Sequence, residues 1–407
     1  MIDPDFNPMT SPAFRADPWP ILARVRAAHP VAPLSPGLVD SWSVLTHASV
    51  ARVLLDPETF SSDRSLRGGD ADMSDANVAW LFANMISAGG DRHRRLRMLA
   101  NRGFMPKTLE ALRPVLEAAV RTSMDRALQG DCDLIEDFAA PITVAMICAL
   151  LGIPPEEMAQ IRRWTEVLGE NSGAVTWLPA VDAALAEKGR RTGIEMTDYF
   201  RRYVADRRRA PREGDLISAF LQLEVEGERL TETEVLSLAM LLLLAGNETT
   251  TNLIGNIAML LARQPQTAAA LRADPALIPG AVEEALRLHP SIRNVDRIAL
   301  RDVELDGVTI PAGGLVVVWL AAANRDPAAF ADPDRFDPAR SGAARHLAFG
   351  YGPHLCLGAP LARMETRLVT QALVAQTKAI TLIGPATRGP NANFDHIAHQ
   401  AARFIPI

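Results

Sequence analysis

Cysteine is scarce in this chain of 407 residues, which holds only Cys132, Cys148 and Cys356. Three thiols cannot all pair within one chain, and their spacing fits no disulfide framework. A reducing, cytoplasmic compartment is therefore expected. An apolar run long enough to span a bilayer is missing too. The richest, 236–246, falls short of the ~20 residues a span needs and leads straight into Asn247-Glu248-Thr249-Thr250. Residues 1–8 are polar and acidic and lack the regions of a signal peptide, so no membrane role is expected. Positive charge is not in excess either. A formal net charge of −6 offers no global basic surface for nucleic acid. Repeats, low-complexity tracts and linkers are absent, which speaks for a single large domain over 1–407.

What is present is an ordinary globular balance, 48% apolar and 22% charged, on a chain long enough to bury a large core. Helical periodicity dominates and predicts helices over 114–127, 134–151, 185–209 and 357–375. Thr231 and Glu234 form a capping box that opens a helix expected to run from about 231 to 263, before Pro265. At 1.5 Å per residue it would be roughly 50 Å long, enough to cross the molecule. Strand signals are fewer: 41–45, a hairpin over 302–310 turning at Asp306-Gly307, a run at 315–320, and a short closing hairpin within 394–407. The Pro- and Asp-rich stretch 324–348 has little periodicity and hints at function. The expected fold class is mainly α with a small β region.

The most informative stretch is Phe349-Gly350-Tyr351-Gly352-Pro353-His354-Leu355-Cys356-Leu357-Gly358. Gly350, Gly352 and Pro353 predict a tight turn, and Cys356 comes just before a helix with Pro360 in its first turn. A helix N-terminus favours negative charge and lowers a thiol's pKa, which suits a thiolate holding an iron centre. Taken alone, the residue reads as a buried structural cysteine. The flanking pattern F-G-x-G-x-H-x-C-x-G-x-x-L-A-R, from Phe349 to Arg363, resembles the haem-binding signature of the cytochromes P450.

Further segments resemble that family, in its order. Glu284 and Arg287, three apart on one helix face, read alone as a surface ion pair; they are similar to the family's buried pair, with Arg335 as its third member. Ala245-Gly246-Asn247-Glu248-Thr249 reads alone as a polar patch in the long helix. There Gly246 removes a side chain where a flat ligand approaches, and Thr249 bonds back one turn. The stretch is similar to the family's oxygen-activation motif. His93 and Arg97, one turn apart, with Arg297 and His354, resemble contacts to haem propionates. His396 and His399 lie three apart with no third ligand evident, and Met73, Met85 and Met98 read as packing residues.

The resemblance implies a haem-thiolate monooxygenase carrying haem b between the long helix and the cysteine loop. Cys356 would be the axial iron ligand, Phe349 and Gly350 would line the cofactor, and Glu248 and Thr249 would form a proton relay. One atom of O2 would enter a small hydrophobic molecule by hydroxylation, dealkylation or epoxidation, and the other would leave as water. By position, the pocket draws on 73–86 including Ile86, on Leu241, Leu244 and Ala245, on 292–295, and on Phe394. Of that third group, Val295 is apolar, while Arg293 and Asn294 either orient a carboxylate or hydroxyl or lie exposed. Electrons would come from a separate ferredoxin or flavodoxin with its NAD(P)H reductase, since about 50 residues after Cys356 leave no room for a redox domain. Arg92, Arg94, Arg95, Arg97, Arg102 and Lys107 form either a docking patch or a solvated face. The same residues leave two alternatives, an H2O2-driven peroxygenase and a non-catalytic haem protein.

Overall fold

In the computed structural model the chain is described over residues 3–8, 10–33, 41–63, 66, 84–177, 182–225, 227–389 and 393–407. The capping box forms as expected, with the Thr231 hydroxyl accepting from Glu234 N–H and the Glu234 carboxylate from Thr231 N–H. It opens one unbroken helix, Glu232–Arg263, called here the central helix. Its apolar side chains are buried nearly all round, from Val235 through Leu261, so it is a core element rather than a surface one. Helix Ala140–Leu151, helix Pro106–Ala127, helix Ala183–Arg209 and the cysteine helix, Ala359–Gln376, pack about it in one continuous apolar core.

Three sequence boundaries shift. Helix Pro106–Ala127 begins before Pro114 and carries that proline inside. The segment expected as one helix over 134–151 starts with a π-turn, Leu134–Ala139, capped by Asp133. This stretch, Leu134–Leu151, is apolar and long enough to cross a membrane, and 72% of it is buried within the protein. The closing hairpin is not short: Ile397–Pro406 pairs antiparallel with Thr377–Arg388, a long strand the sequence did not announce. Asp131–Asp133 adds a third strand against Ile397–Pro406.

A second β unit joins distant parts of the chain. Strand Leu315–Val318 lies parallel to Ser41–Val44 and antiparallel to Val295–Ala299, with Val31–Pro33 and Phe60–Ser61 at the edges. All four residues of Leu315–Val318 are buried, as its uninterrupted apolar run requires. The expected 302–310 hairpin forms as Val303–Leu305 and Val308–Ile310, with positive φ at both Asp306 and Gly307. This sheet anchors segment 291–297 through strand Val295–Ala299.

Candidate functional site

The loop 349–358 ends at Gly358, the N-cap of the cysteine helix. Its closure is a hydrogen bond from Cys356 N–H to the Phe349 carbonyl, 2.8 Å. Gly350 and Gly352 both sit at φ +71°. At Gly352 a Cβ would also stand 2.6 Å from the Leu54 carbonyl oxygen, so only glycine fits. The Phe349 ring lies under the Arg363 guanidinium, 4.7 Å from its centre.

Gly358 and Ala359 N–H groups donate to the Cys356 sulfur. Burial nevertheless pushes this thiol up, and outweighs those amides together with Arg97 and Arg363. The expected lowering by the helix terminus is therefore overruled by desolvation. Yet Cys356 is exposed. A sulfur enclosed by protein but open to water borders an internal space. A metal cation there would take the proton's place, and the donor amides would then serve the thiolate.

One face of the central helix has the same character. Leu241, Leu244, Glu248 and Thr249 are half-buried and Ala245 is exposed, while Leu242, Leu243, Asn247 and Thr250 between them are buried. Those five share a face by the 3.6 period. The Thr249 hydroxyl donates to the Ala245 carbonyl at 2.6 Å, yet the helix stays α-helical through it. Gly246 is turned elsewhere: a Cβ there would meet Ile147 Cδ1 at 3.1 Å. Its small size admits a neighbouring helix, which corrects the reading that it makes way for a flat ligand. The Ser291 hydroxyl donates to the Thr249 carbonyl at 2.6 Å and ties segment 291–297 to this turn.

Below it, His93, Arg97, Arg297 and His354 converge. The His93 and His354 rings stack at 3.9 Å. His93 Nε2 is buried with no hydrogen-bond partner. Burial first, then His93, Arg297 and Arg97, drive His354 down to about 3. Burial, Arg97 and Arg297 likewise lower His93. Groups that repel one another as cations and leave a ring nitrogen orphaned fit a ligand carrying carboxylates. Haem, with two propionates and an iron for the thiolate, meets those demands.

The scaffold differs from expectation in one member. Glu284 and Arg287 are fully buried and paired at 2.6 Å, but the second arginine is Arg340, whose Nε reaches Glu284 at 2.9 Å. Arg335 is exposed and contributes its carbonyl, which accepts from Arg287 at 3.0 Å. Its side chain points out because Phe336 takes the buried place. The sequence reading missed Glu283, which binds Arg363 of the cysteine helix at 2.8 and 2.7 Å and His346 at 3.2 Å. Burial would raise this carboxyl; Arg363 and His346 bring it down to about 2.

Among the pocket residues, Ile86 is 51% exposed, and Val295 and Phe394 are half-buried. The remainder of 73–86 before residue 84, Met73 included, lies outside the described residues. Met85 is buried in the core. Arg293 and Asn294 are buried, not exposed. The Arg293 guanidinium binds Asp395 at 2.8 Å, alongside His289 at 3.0 Å and Arg388 at 2.6 Å. The Arg293 charge, the His289 hydrogen bond and Arg388 hold the Asp395 carboxyl well below the usual range despite its burial. Ile292 bridges Phe394 across this cluster. The basic run splits. Arg95 is engaged by Glu228 and Glu234, and Arg97 turns toward Cys356, while Arg92, Arg94, Arg102 and Lys107 stay exposed. Among the described residues no group of three His, Cys, Asp or Glu is placed to hold a metal ion. His396 instead faces Glu248, Nδ1 to Oε1 3.1 Å.

A helical fold around a thiol loop, with a set of buried groups suited to two carboxylates, defines a haem-thiolate protein. The family model of cytochrome P450 matches residues 26–378. Cytochrome P450 monooxygenase PikC of Streptomyces venezuelae is 39% identical over 91% of this chain and 86% of its own length. Cyclomarin C epoxidase CymV of Salinispora arenicola is 36% identical over 94% of this chain and 98% of its own. Among solved structures, cytochrome P450 CYP109Q5 from Chondromyces apiculatus aligns over all of both chains with a TM-score of 0.87 and 32% identity. P450BioI, solved in complex with an acyl carrier protein bearing hexadec-9Z-enoic acid, aligns over 96% of this chain and 99% of that one at TM-score 0.88 and 31% identity. The chain belongs to the cytochrome P450 family and is a monooxygenase of the bacterial type, with haem b as its cofactor.

Proposed function

We propose that Cys356 is the axial ligand of the haem iron and that the enzyme inserts one oxygen atom of O2 into a small hydrophobic molecule. The observation that carries this is the exposed Cys356, its sulfur held by the Gly358 and Ala359 amides at the start of the cysteine helix, together with the orphaned His93 Nε2. Bound haem supplies the oxygen-handling chemistry, and the protein supplies binding, orientation and protons. His93, Arg97, Arg297 and His354 would hold the propionates, and Phe349 and Gly350 would line the thiolate side. Thr249 donates its hydroxyl proton to Ala245, which leaves its oxygen lone pairs to accept from water. Glu248, one residue away and half-buried, supplies protons toward Thr249 as a general acid. Leu241, Leu244, Ala245, Ile86, Val295 and Phe394 give an apolar lining, and Asn294 a buried amide with an unpartnered Nδ2. Hydroxylation is the favoured outcome, with epoxidation and dealkylation as variants. Relatives named as erythromycin C-12 hydroxylase and cyclomarin C epoxidase support hydroxylation and epoxidation.

Electrons come from a separate ferredoxin or flavodoxin with an NAD(P)H reductase in the cytoplasm. Arg94, Arg102 and Pro353 border an open groove of about 760 Å³ that leads inward to His93 and Arg97. Cys356→Ala removes the thiolate-type absorption of the reduced carbonyl complex, and Thr249→Ala lowers product per NAD(P)H while electron use continues. Retention of that absorption in Cys356→Ala refutes the ligand. Full coupling in Thr249→Ala refutes the relay. Turnover with H2O2 equal to that with the redox chain would favour a peroxygenase.

A further inference from the structure

Two consecutive residues of the terminal hairpin grip the central helix one turn apart. His396 Nδ1 lies 3.1 Å from Glu248 Oε1, and Ile397 N–H donates to Asn252 Oδ1 at 3.3 Å. Residues 248 and 252 share a helix face. Both partners of the first contact are largely enclosed, with side-chain exposures of 25% for His396 and 22% for Glu248. The other strand of the hairpin keeps the ring in place. Gly389 N–H donates to the His396 carbonyl at 3.0 Å, and a Cβ on Gly389 would stand 2.1 Å from His396 Nδ1, the atom that faces Glu248. Only glycine at 389 leaves the imidazole on the carboxylate.

We propose that His396 is a positioning residue for the acid relay, holding the Glu248 carboxylate and tightening that hold when it gains a proton. The proposal rests on the assignment of Glu248 to the relay. A carboxylate tethered to an imidazolium is bound by a charge-assisted hydrogen bond, and to a neutral imidazole by a weaker one. A relay acid must leave its partner and turn toward Thr249 to deliver a proton, so the stronger tether slows delivery. The surroundings set when the switch occurs. Burial is the main influence on His396 and lowers it from the ordinary histidine value; Glu136 opposes, while His399, Arg162 and Arg293 add to the lowering. Glu248 faces it from the central helix. At neutral pH the ring is therefore mainly uncharged and the relay mobile, and protonation comes only on acidification below the ordinary histidine range.

Three variants of the haem-loaded enzyme test this. In the wild type, product per NAD(P)H falls as pH drops through the His396 transition. In His396→Gln, which donates a hydrogen bond but never charges, coupling matches the wild type at pH 7 and stays flat to pH 5. The same fall in His396→Gln as in the wild type overturns the proposal. The ring itself is read by NMR titration in the diamagnetic ferrous carbonyl form. Glu248→Gln removes the facing charge and lowers the His396 pKa by at least about 0.5, a shift within reach of one close carboxylate. Gly389→Ala pushes the ring away and gives the same lowering without substituting either partner. An unchanged His396 pKa in both variants refutes the contact even if His396→Gln fails to load haem. If Glu248→Gln leaves coupling intact, the relay assignment itself fails. If it uncouples while the His396 pKa stays fixed, only the positioning role does.

Discussion

Arg287→Lys is the sharpest probe of the scaffold beneath the cysteine loop. The Arg287 guanidinium serves five acceptors. It reaches Glu284 Oε1 at 2.6 Å and Oε2 at 3.0 Å, and the carbonyls of Asn324 at 3.0 Å, Pro333 at 2.5 Å and Arg335 at 3.0 Å. Both side chains of the ion pair are fully buried. Lysine keeps the charge but offers three donors on one point and no planar fork. Glu284 Oε2 and the Arg335 carbonyl keep Arg340 as a donor, so the loss falls on Glu284 Oε1 and the Asn324 and Pro333 carbonyls, which one ammonium cannot reach together; each buried acceptor left unmade costs about 1–3 kcal/mol. Arg287→Lys is expected to lower stability by roughly 2–6 kcal/mol. Because the three carbonyls belong to the stretch that leads into the cysteine loop, haem retention falls with it. The assay is guanidinium unfolding of the haem-loaded protein followed by far-UV circular dichroism, with haem content per chain measured alongside. Unfolding within about 0.5 kcal/mol of the wild type, at full haem content, would show that this fork does not order the stretch.

Glu283→Gln tests the neighbouring tie to the cysteine helix. The Glu283 carboxyl is depressed to about 2 when folded, so its stabilisation is fully present above pH ~5 and is lost as pH falls toward 2. A depression of that size is worth about 3 kcal/mol, and the acid limb of the wild-type stability profile should flatten by that amount in the variant; an identical limb in both proteins refutes the tie. Gly352→Ala forces a left-handed residue and a clash with the Leu54 backbone, which cannot swing aside. It is expected to cost roughly 2 kcal/mol or more and to reduce haem content, and a variant that purifies with full haem and unchanged stability contradicts the packing. For the electron partner, ferredoxin-supported reduction should slow several-fold between about 0.02 and 0.5 M salt, and Arg102→Glu with Lys107→Glu should remove most of that dependence. A flat response in the wild type excludes electrostatic docking on this face.

The sequence disclosed what local rules control. The capping box at Thr231, the Asp306-Gly307 turn and the run over 349–358 each carry their signal within ten residues, and the structure forms each where the signal stood. The failures share a different cause. Glu283 meets Arg363 across 80 positions, Glu284 meets Arg340 across 56, and Glu248 meets His396, just ahead of the closing strand Ile397–Pro406. In each pair one partner had been noticed for its spacing or sat beside such a residue, but spacing along one helix constrains only one side of a contact. The other side is fixed by which turn of the 324–348 stretch or of the hairpin happens to arrive, and no period records that. Arg335 was assigned to Glu284 by resemblance to the family's buried pair, and the fold delivered Arg340, while Phe336 takes the buried place beside an exposed Arg335. The thiol of Cys356 fails in the same way. A helix terminus is a local feature and argues for a lowered pKa, whereas burial is a sum over the whole fold and wins. A charge-bearing residue is thus legible in the sequence as a type and a place on its own element; its partner and its proton affinity belong to the assembled protein.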